Sequence, residues 1–283
     1  MTDRLATTFA DARAAGRKLL CPFLTAGYPS LPATVALLEA IQHAAEPADS
    51  HGGGGVVGGG IGCVELGFPF SDPVADGPTI QASFTHALAR GASVQGIFDA
   101  VAQARARGVT LPILAMVSFS IIFKWGTGHF AQVCQQAGID GVVLPDLPLE
   151  EAPAVVAALR QAGLSSTLLI APGTPPARRA QIAHLCDGFV YYLSVAGITG
   201  ERQELPPDIA ANVAAIRQLT SAPVCVGFGI STPAHVRQVV QIADGAIVGS
   251  ALIRQITEKK DAPLPELAVH VAAFVRHLAT GTR

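Results

Sequence analysis

Charge is scarce in this sequence. Asp, Glu, Lys and Arg make up 14% of its 283 residues, against about 25% in an ordinary soluble domain. The formal net charge is −2. No basic stripe and no polybasic run is present, which argues against a nucleic-acid or membrane-surface ligand. Long hydrophobic spans are missing as well. Leu19 to Leu38 carries no charge but is broken by Pro22, Gly27, Pro29 and Pro32. The uncharged stretch Gly108 to Phe123 contains Pro112 and falls short of a span, which needs about 18 apolar residues. The first residues carry Asp3 and Asp11 without an apolar stretch, so no signal or transit peptide is read there and a cytoplasmic location is expected.

Other absences narrow the chemistry. Cys21, Cys63, Cys134, Cys186 and Cys225 stand far apart, with no C-x-x-C and no zinc spacing, so they read as reduced, buried thiols. The lysines are Lys18, Lys124, Lys259 and Lys260. None falls within an expected strand, which weighs against a Schiff-base aldolase. The eight histidines show no H-x-H or H-E-x-x-H spacing, which weighs against a metal-dependent one. His129, His235 and His270 fall on expected helices and read as surface residues.

Apolar residues, in contrast, make up 50% of the chain, enough for a large core. They form eight short continuous runs: Leu19–Thr25, 62–67, 112–118, Gly141–Leu144, 167–171, 189–193, 224–228 and 246–249. Such runs suit parallel strands covered on both faces. Between them lie helix-period patterns, such as Val94, Ile97, Phe98 and Val101, or Leu267, Val271, Phe274 and Leu278. Gly91, Gly108, Gly138 and Gly163 mark helix ends. Eight alternations in a chain of this length predict an α/β fold, a single (β/α)8 barrel domain over residues 1–283. No G-x-G-x-x-G follows the first strand, which disfavours a doubly wound sheet. Leu5 to Gly16 reads as an extra N-terminal helix closing the barrel bottom. A Gly-rich insertion over 46–61, before the second strand, reads as a flexible loop on the face away from the chemistry.

In such a barrel the site forms at the C-terminal ends of the strands. Glu65 interrupts an apolar strand there. A buried carboxyl is costly unless paired, protonated or used, and desolvation tunes it toward acid/base work. Asp72 and Asp76 follow in a Pro- and Gly-rich loop, and Tyr191 lies on the sixth strand. Gly227, Phe228 and Gly229 end the seventh strand. Gly249 and Ser250 end the eighth and open a helix, a phosphate site in outline.

These residues resemble those of a known family, the tryptophan synthase alpha chain. The segment Glu65 to Pro78, ELGFPFSDPVADGP, resembles its most recognisable motif. Pro22 to Pro29, Pro145 to Pro148, Gly197 to Gly200 and Val226 to Gly229 stand around it in family order. The resemblance implies a lyase that cleaves indole-3-glycerol phosphate to indole and glyceraldehyde 3-phosphate. It implies Glu65 as acid/base, Asp76 on the indole N–H and Tyr191 as an assisting hydroxyl. Thr199 would sit on a lid that meets Asp76, and Phe23 would pack beside the indole. Gly200, Gly229, Gly249 and Ser250 would hold phosphate, with Gly227 and Phe228 beside them. No cofactor is expected on this chain. A pyridoxal-phosphate beta chain would take up the indole within an alpha2beta2 heterotetramer, facing the loops Phe70–Pro73 and Asp146–Glu150. Ser118-Phe119-Ser120-Ile121 departs from the family's Tyr-x-Asn-Pro-like segment, Val195 replaces an arginine of some members, and Gly173 a common threonine. The competing readings are a stand-alone lyase, another phosphosugar barrel, and a silent phosphate-binding barrel that regulates a partner.

Overall fold

Each of the eight apolar runs becomes a strand, and the strands close on one another. The structure, a computed structural model, describes residues 3–46, 60–73, 76–193, 208–227 and 229–283. In chain order the elements are α1 Arg4–Ala14, β1 Leu19–Thr25, α2 Leu31–Ala45, β2 Val64–Gly67, α3 Pro78–Ala89, α4 Val94–Ala106 and β3 Ile113–Met116. Then come α5 Phe119–Trp125, α6 Thr127–Ala137, β4 Gly141–Leu144, α7 Ala152–Gln161, β5 Ser165–Ile170, α8 Pro176–Leu185 and β6 Val190–Leu193. The last are α9 Ile209–Arg217, β7 Val224–Gly227, α10 Pro233–Val240, β8 Gly245–Val248, α11 Ser250–Glu258 and α12 Leu264–Ala279. All neighbouring strands are parallel, and β8 pairs back onto β1, with Leu19 opposite Gly245 and Cys21 opposite Ile247. Among the described residues, no helix is long and apolar enough to cross a membrane.

Local chemistry sets the helix ends. Asp3, Ser30, Ser93 and Thr232 each accept a backbone N–H at a helix start, which satisfies donors that the helix leaves free. The four glycines read as stops all follow helices in left-handed backbone. Gly138, at φ +86°, caps α6, a conformation costly for any residue with a Cβ.

Two cores result. One lies between the strands and the surrounding helices. The other fills the barrel itself, with Leu19, Cys21, Cys63, Leu114, Val143, Phe189, Tyr191, Cys225 and Ile247. Leu5, Phe9 and Ala12 of α1 join this inner core from below. The Phe9 and Phe189 ring centroids lie 5.9 Å apart, so the expected bottom helix is present and plugs the barrel.

The bottom face is pinned by charge. Asp140, just before β4, accepts bonds from Arg105 at 2.6 Å, Arg4 at 2.7 Å and the Ile113 amide at 2.8 Å. Arg105 also donates to the carbonyls of Val109, Leu111 and Gly138. Most of the Gly-rich insertion, 47–59, lies outside the described residues. Its flanks sit on the bottom face: Glu46 caps α2, and the Leu20 amide donates to the Gly60 carbonyl. Of the histidines placed on helices, His129 is exposed and stacks on Trp125. His270 is half-buried, with Nε2 covered and without a partner among the described residues, so the reading of it as a surface residue is corrected. All five cysteines are free and buried.

Candidate active site

Side chains alternate in and out along a strand, so the phase of β2 aims Glu65 into the barrel. It lies opposite Phe23 of β1 and Leu114 of β3. Glu65 is 0% exposed. Neither carboxyl oxygen meets a hydrogen-bond partner among the described residues. Burial pushes its pKa well above the usual carboxylate range, because the charged form loses its water without gaining a partner.

Above Glu65 a cavity opens to solvent. It is lined by Phe23, Glu65, Asp76, Ile80, Met116, Tyr191, Gly229, Ile230, Ile247, Gly249, Ser250 and Ala251. Its empty space, counted to the open mouth, is about 530 Å³, within the range of small-molecule sites. One polar end and one apolar wall face each other across it.

Asp76 stands just ahead of α3, where the Gln81 side chain donates to its backbone carbonyl at 2.8 Å. Burial first, and the charge of Asp146 second, raise its pKa to about 6. Asp146, after β4, is held by the Ser118 hydroxyl at 2.6 Å and the Phe119 amide at 2.8 Å. Those contacts anchor the start of α5. Tyr191 of β6 is buried, and burial together with the nearby carboxyls pushes its phenol up. It therefore stays a hydroxyl, able to donate. Gly227 does not line the cavity. A Cβ there would collide with the Tyr191 hydroxyl, so glycine at 227 makes the room that Tyr191 occupies. A Cβ on Gly67 would likewise strike the Phe23 ring.

The far wall is built for an anion. Gly229, at φ +67°, turns the chain after β7. Gly249 caps α11, and Ser250 begins it. The first amides of a helix have no intrahelical acceptor and point outward with the positive end of the dipole. At this cavity they supply a ready phosphate or sulfate seat.

The structure thus brings together Phe23, Glu65, Asp76, Tyr191, Gly229, Gly249 and Ser250. Asp72 is exposed, takes a bond from Ser71, and does not line the cavity. Thr199, Gly200 and Phe228 lie outside the described residues. Ile80, Met116, Ile230 and Ile247 are lining residues that the sequence reading passed over. The strand phase that points Glu65 and Gly249 inward could have found Met116 and Ile247. Ser118, expected at the end of the third strand, instead caps a helix that Phe119 opens. Polar acid/base groups, apolar side chains and an anion seat in one cleft suit proton transfer on a small phosphorylated substrate.

Comparison with known proteins agrees with this chemistry. A family profile described as tryptophan synthase alpha chain matches residues 9–282. The tryptophan synthase alpha chain of Chloroflexus aurantiacus is 42% identical over 278 residues, covering 98% of this chain and 97% of that one. That of Thermosynechococcus vestitus is 41% identical over 281 residues, covering 99% and 98%. Among solved structures, Mycobacterium tuberculosis tryptophan synthase in its aminoacrylate-bound form has a chain with a TM-score of 0.82 and 31% identity, covering 99% of both chains. A chain of the Pyrococcus furiosus tryptophan synthase complex has a TM-score of 0.79 and 31% identity, covering 93% and 98%. The eight-stranded barrel is the fold they share, and this chain belongs to the tryptophan synthase alpha chain family.

Proposed function

We propose that this chain cleaves indole-3-glycerol phosphate to indole and glyceraldehyde 3-phosphate, as the alpha subunit of a tryptophan synthase. The observation that carries the reading is Glu65, a fully buried carboxyl at the floor of the cavity without a hydrogen-bond partner among the described residues. Such a group rests protonated. It gives its proton to indole C3, and as a carboxylate it then takes the proton of the glycerol hydroxyl. The C–C bond to the indole breaks as the aldehyde forms, and the bonding electrons restore the aromatic ring. Asp76 accepts the indole N–H and offsets the positive charge that C3 protonation creates. Tyr191 donates to the reacting hydroxyl region. Phe23 packs beside the ring. The amides of Gly229, Gly249 and Ser250 hold the phosphate, with Gly200, Gly227 and Phe228 near them, and Thr199 closes the lid over Asp76.

The chemistry needs no cofactor on this chain. The indole passes to a pyridoxal-phosphate beta chain in an alpha2beta2 assembly of the cytoplasm. Phe123, 74% exposed on α5, the helix that follows β3, supports a partner surface there. The test is indole release from indole-3-glycerol phosphate, with and without a tryptophan synthase beta chain. Slow release that rises sharply with the beta chain is the expected result. Fast release that ignores it marks a stand-alone lyase, and bound substrate without release marks a silent barrel.

A further inference from the structure

Beneath Glu65 the barrel is floored with sulfur. Cys63 stands two residues before Glu65 in the chain, and Cys21 two residues before Phe23, which pairs with Glu65. Cys225 on β7 lies opposite Tyr191 and Gly245. The three side chains belong to one buried cluster inside the barrel. Gly245 makes the space: a Cβ placed there would lie 2.8 Å from the Cys225 sulfur and 3.7 Å from that of Cys21. All three cysteines are 0% exposed. They are not arranged to hold a metal ion, since no such group occurs among the described residues.

We infer that Cys21, Cys63 and Cys225 are positioning residues for Glu65: a close-packed floor of weak thiol donors that leaves the carboxyl without a strong donor from beneath. The inference rests on the acid/base reading of Glu65. A thiol fills volume much as a methyl group does, yet it is a far weaker donor than a hydroxyl. A hydroxyl at the same place would donate to the carboxylate and favour its charged form. An ordered water would do the same. The other ionisable groups facing Glu65 are Tyr191 from β6 and Asp76 across the cavity. Asp244, before β8, acts on Cys225 from below and is held by Arg217 and Lys18. The remaining inner neighbours, Leu114, Val143 and Ile247, are apolar. Sulfur is therefore the feature that decides which donors Glu65 can find from beneath.

The experiment compares Cys21→Ser, Cys63→Ser and Cys225→Ser with the matching alanine variants. Two readouts are used: the pH profile of indole release, and infrared titration of the buried carboxyl band, assigned by its loss in Glu65→Gln. A charge-assisted hydrogen bond predicts that at least one serine variant lowers the Glu65 titration by about one unit in both readouts. The alanine variants lose packing without that downward shift. Serine variants whose band and profile superimpose on those of the parent would overturn the floor, as would alanine shifts equal to the serine ones. Should one serine variant fail to fold, the other two carry the comparison. The band reports Glu65 whether or not the chain cleaves substrate. A shifted band without indole release keeps the floor and removes the proposed activity, whereas release with an immobile band does the reverse.

Discussion

The two ends of the barrel treat a buried carboxylate in opposite ways. At the bottom, Asp140 meets two guanidinium groups and a backbone amide within 2.8 Å. At the top, Glu65 is still more deeply buried and meets no partner among the described residues. The first arrangement offsets the desolvation of the charge and locks α1, α4 and the start of β4 together. The second raises the carboxyl's pKa well above the usual range, as the proposed acid/base role requires. Burial alone does not assign a role; what the protein offers the buried group does.

The contrast can be broken at either end. The largest effect is expected at the top. Glu65→Gln should cut indole release by roughly 10²–10⁴-fold, the range of a general acid/base, while a non-cleavable indole phosphate analogue still binds. Steady-state turnover and calorimetric binding check both halves. Next comes Asp140→Ala, which strands Arg105 and should lower unfolding free energy by about 3–5 kcal/mol in urea titration. Its turnover per folded molecule should stay that of the parent.

Smaller and sharper is the pH response of Asp76. Its pKa of about 6 leaves it ionised at neutral pH, and analogue binding should weaken as pH falls through that value. Asp146→Asn removes the like charge and should move the transition downward, toward the usual carboxylate range. The smallest effect is on stability. Because the folded pKa of Glu65 lies above the unfolded one, the native state holds the extra proton between the two values. Its contribution is full below the unfolded pKa and is lost as pH rises through the folded one. The stability of Glu65→Gln relative to the parent should therefore climb with pH across that window, as read from paired melts.

Much of the barrel was legible because strands buried on both faces read as unbroken apolar runs. β1 and β4 match the sequence reading residue for residue. β5 begins earlier than expected, at Ser165. Ser165 and Ser166 look like loop in one dimension, but they are buried, and the Ser166 hydroxyl donates to the Leu185 carbonyl at 2.7 Å. β2 begins later, at Val64, where pairing with Ile113 starts. α5 escaped notice because its seven residues are too few to show a period, and its start depends on Asp146 from the loop after β4.

The site divides along the same line. Glu65 was legible as a charge inside an apolar run, and Gly249-Ser250 as a glycine opening a helix. The action of Asp146 on Asp76, the space that Gly227 makes for Tyr191 and the meeting of three distant cysteines were not. They arise from register and closure, which place residues from different strands at one level of the barrel.

The helix α1 has a further consequence. With Leu5, Phe9 and Ala12 stoppering the lower end, Glu65 sits at the blind end of a tube. Substrate and solvent reach it by the same mouth. On the proposed mechanism, substrate filling that mouth would cut the carboxyl off from the bulk supply of protons, so one resident proton would be handed to each arriving ring and replaced from that molecule's own hydroxyl.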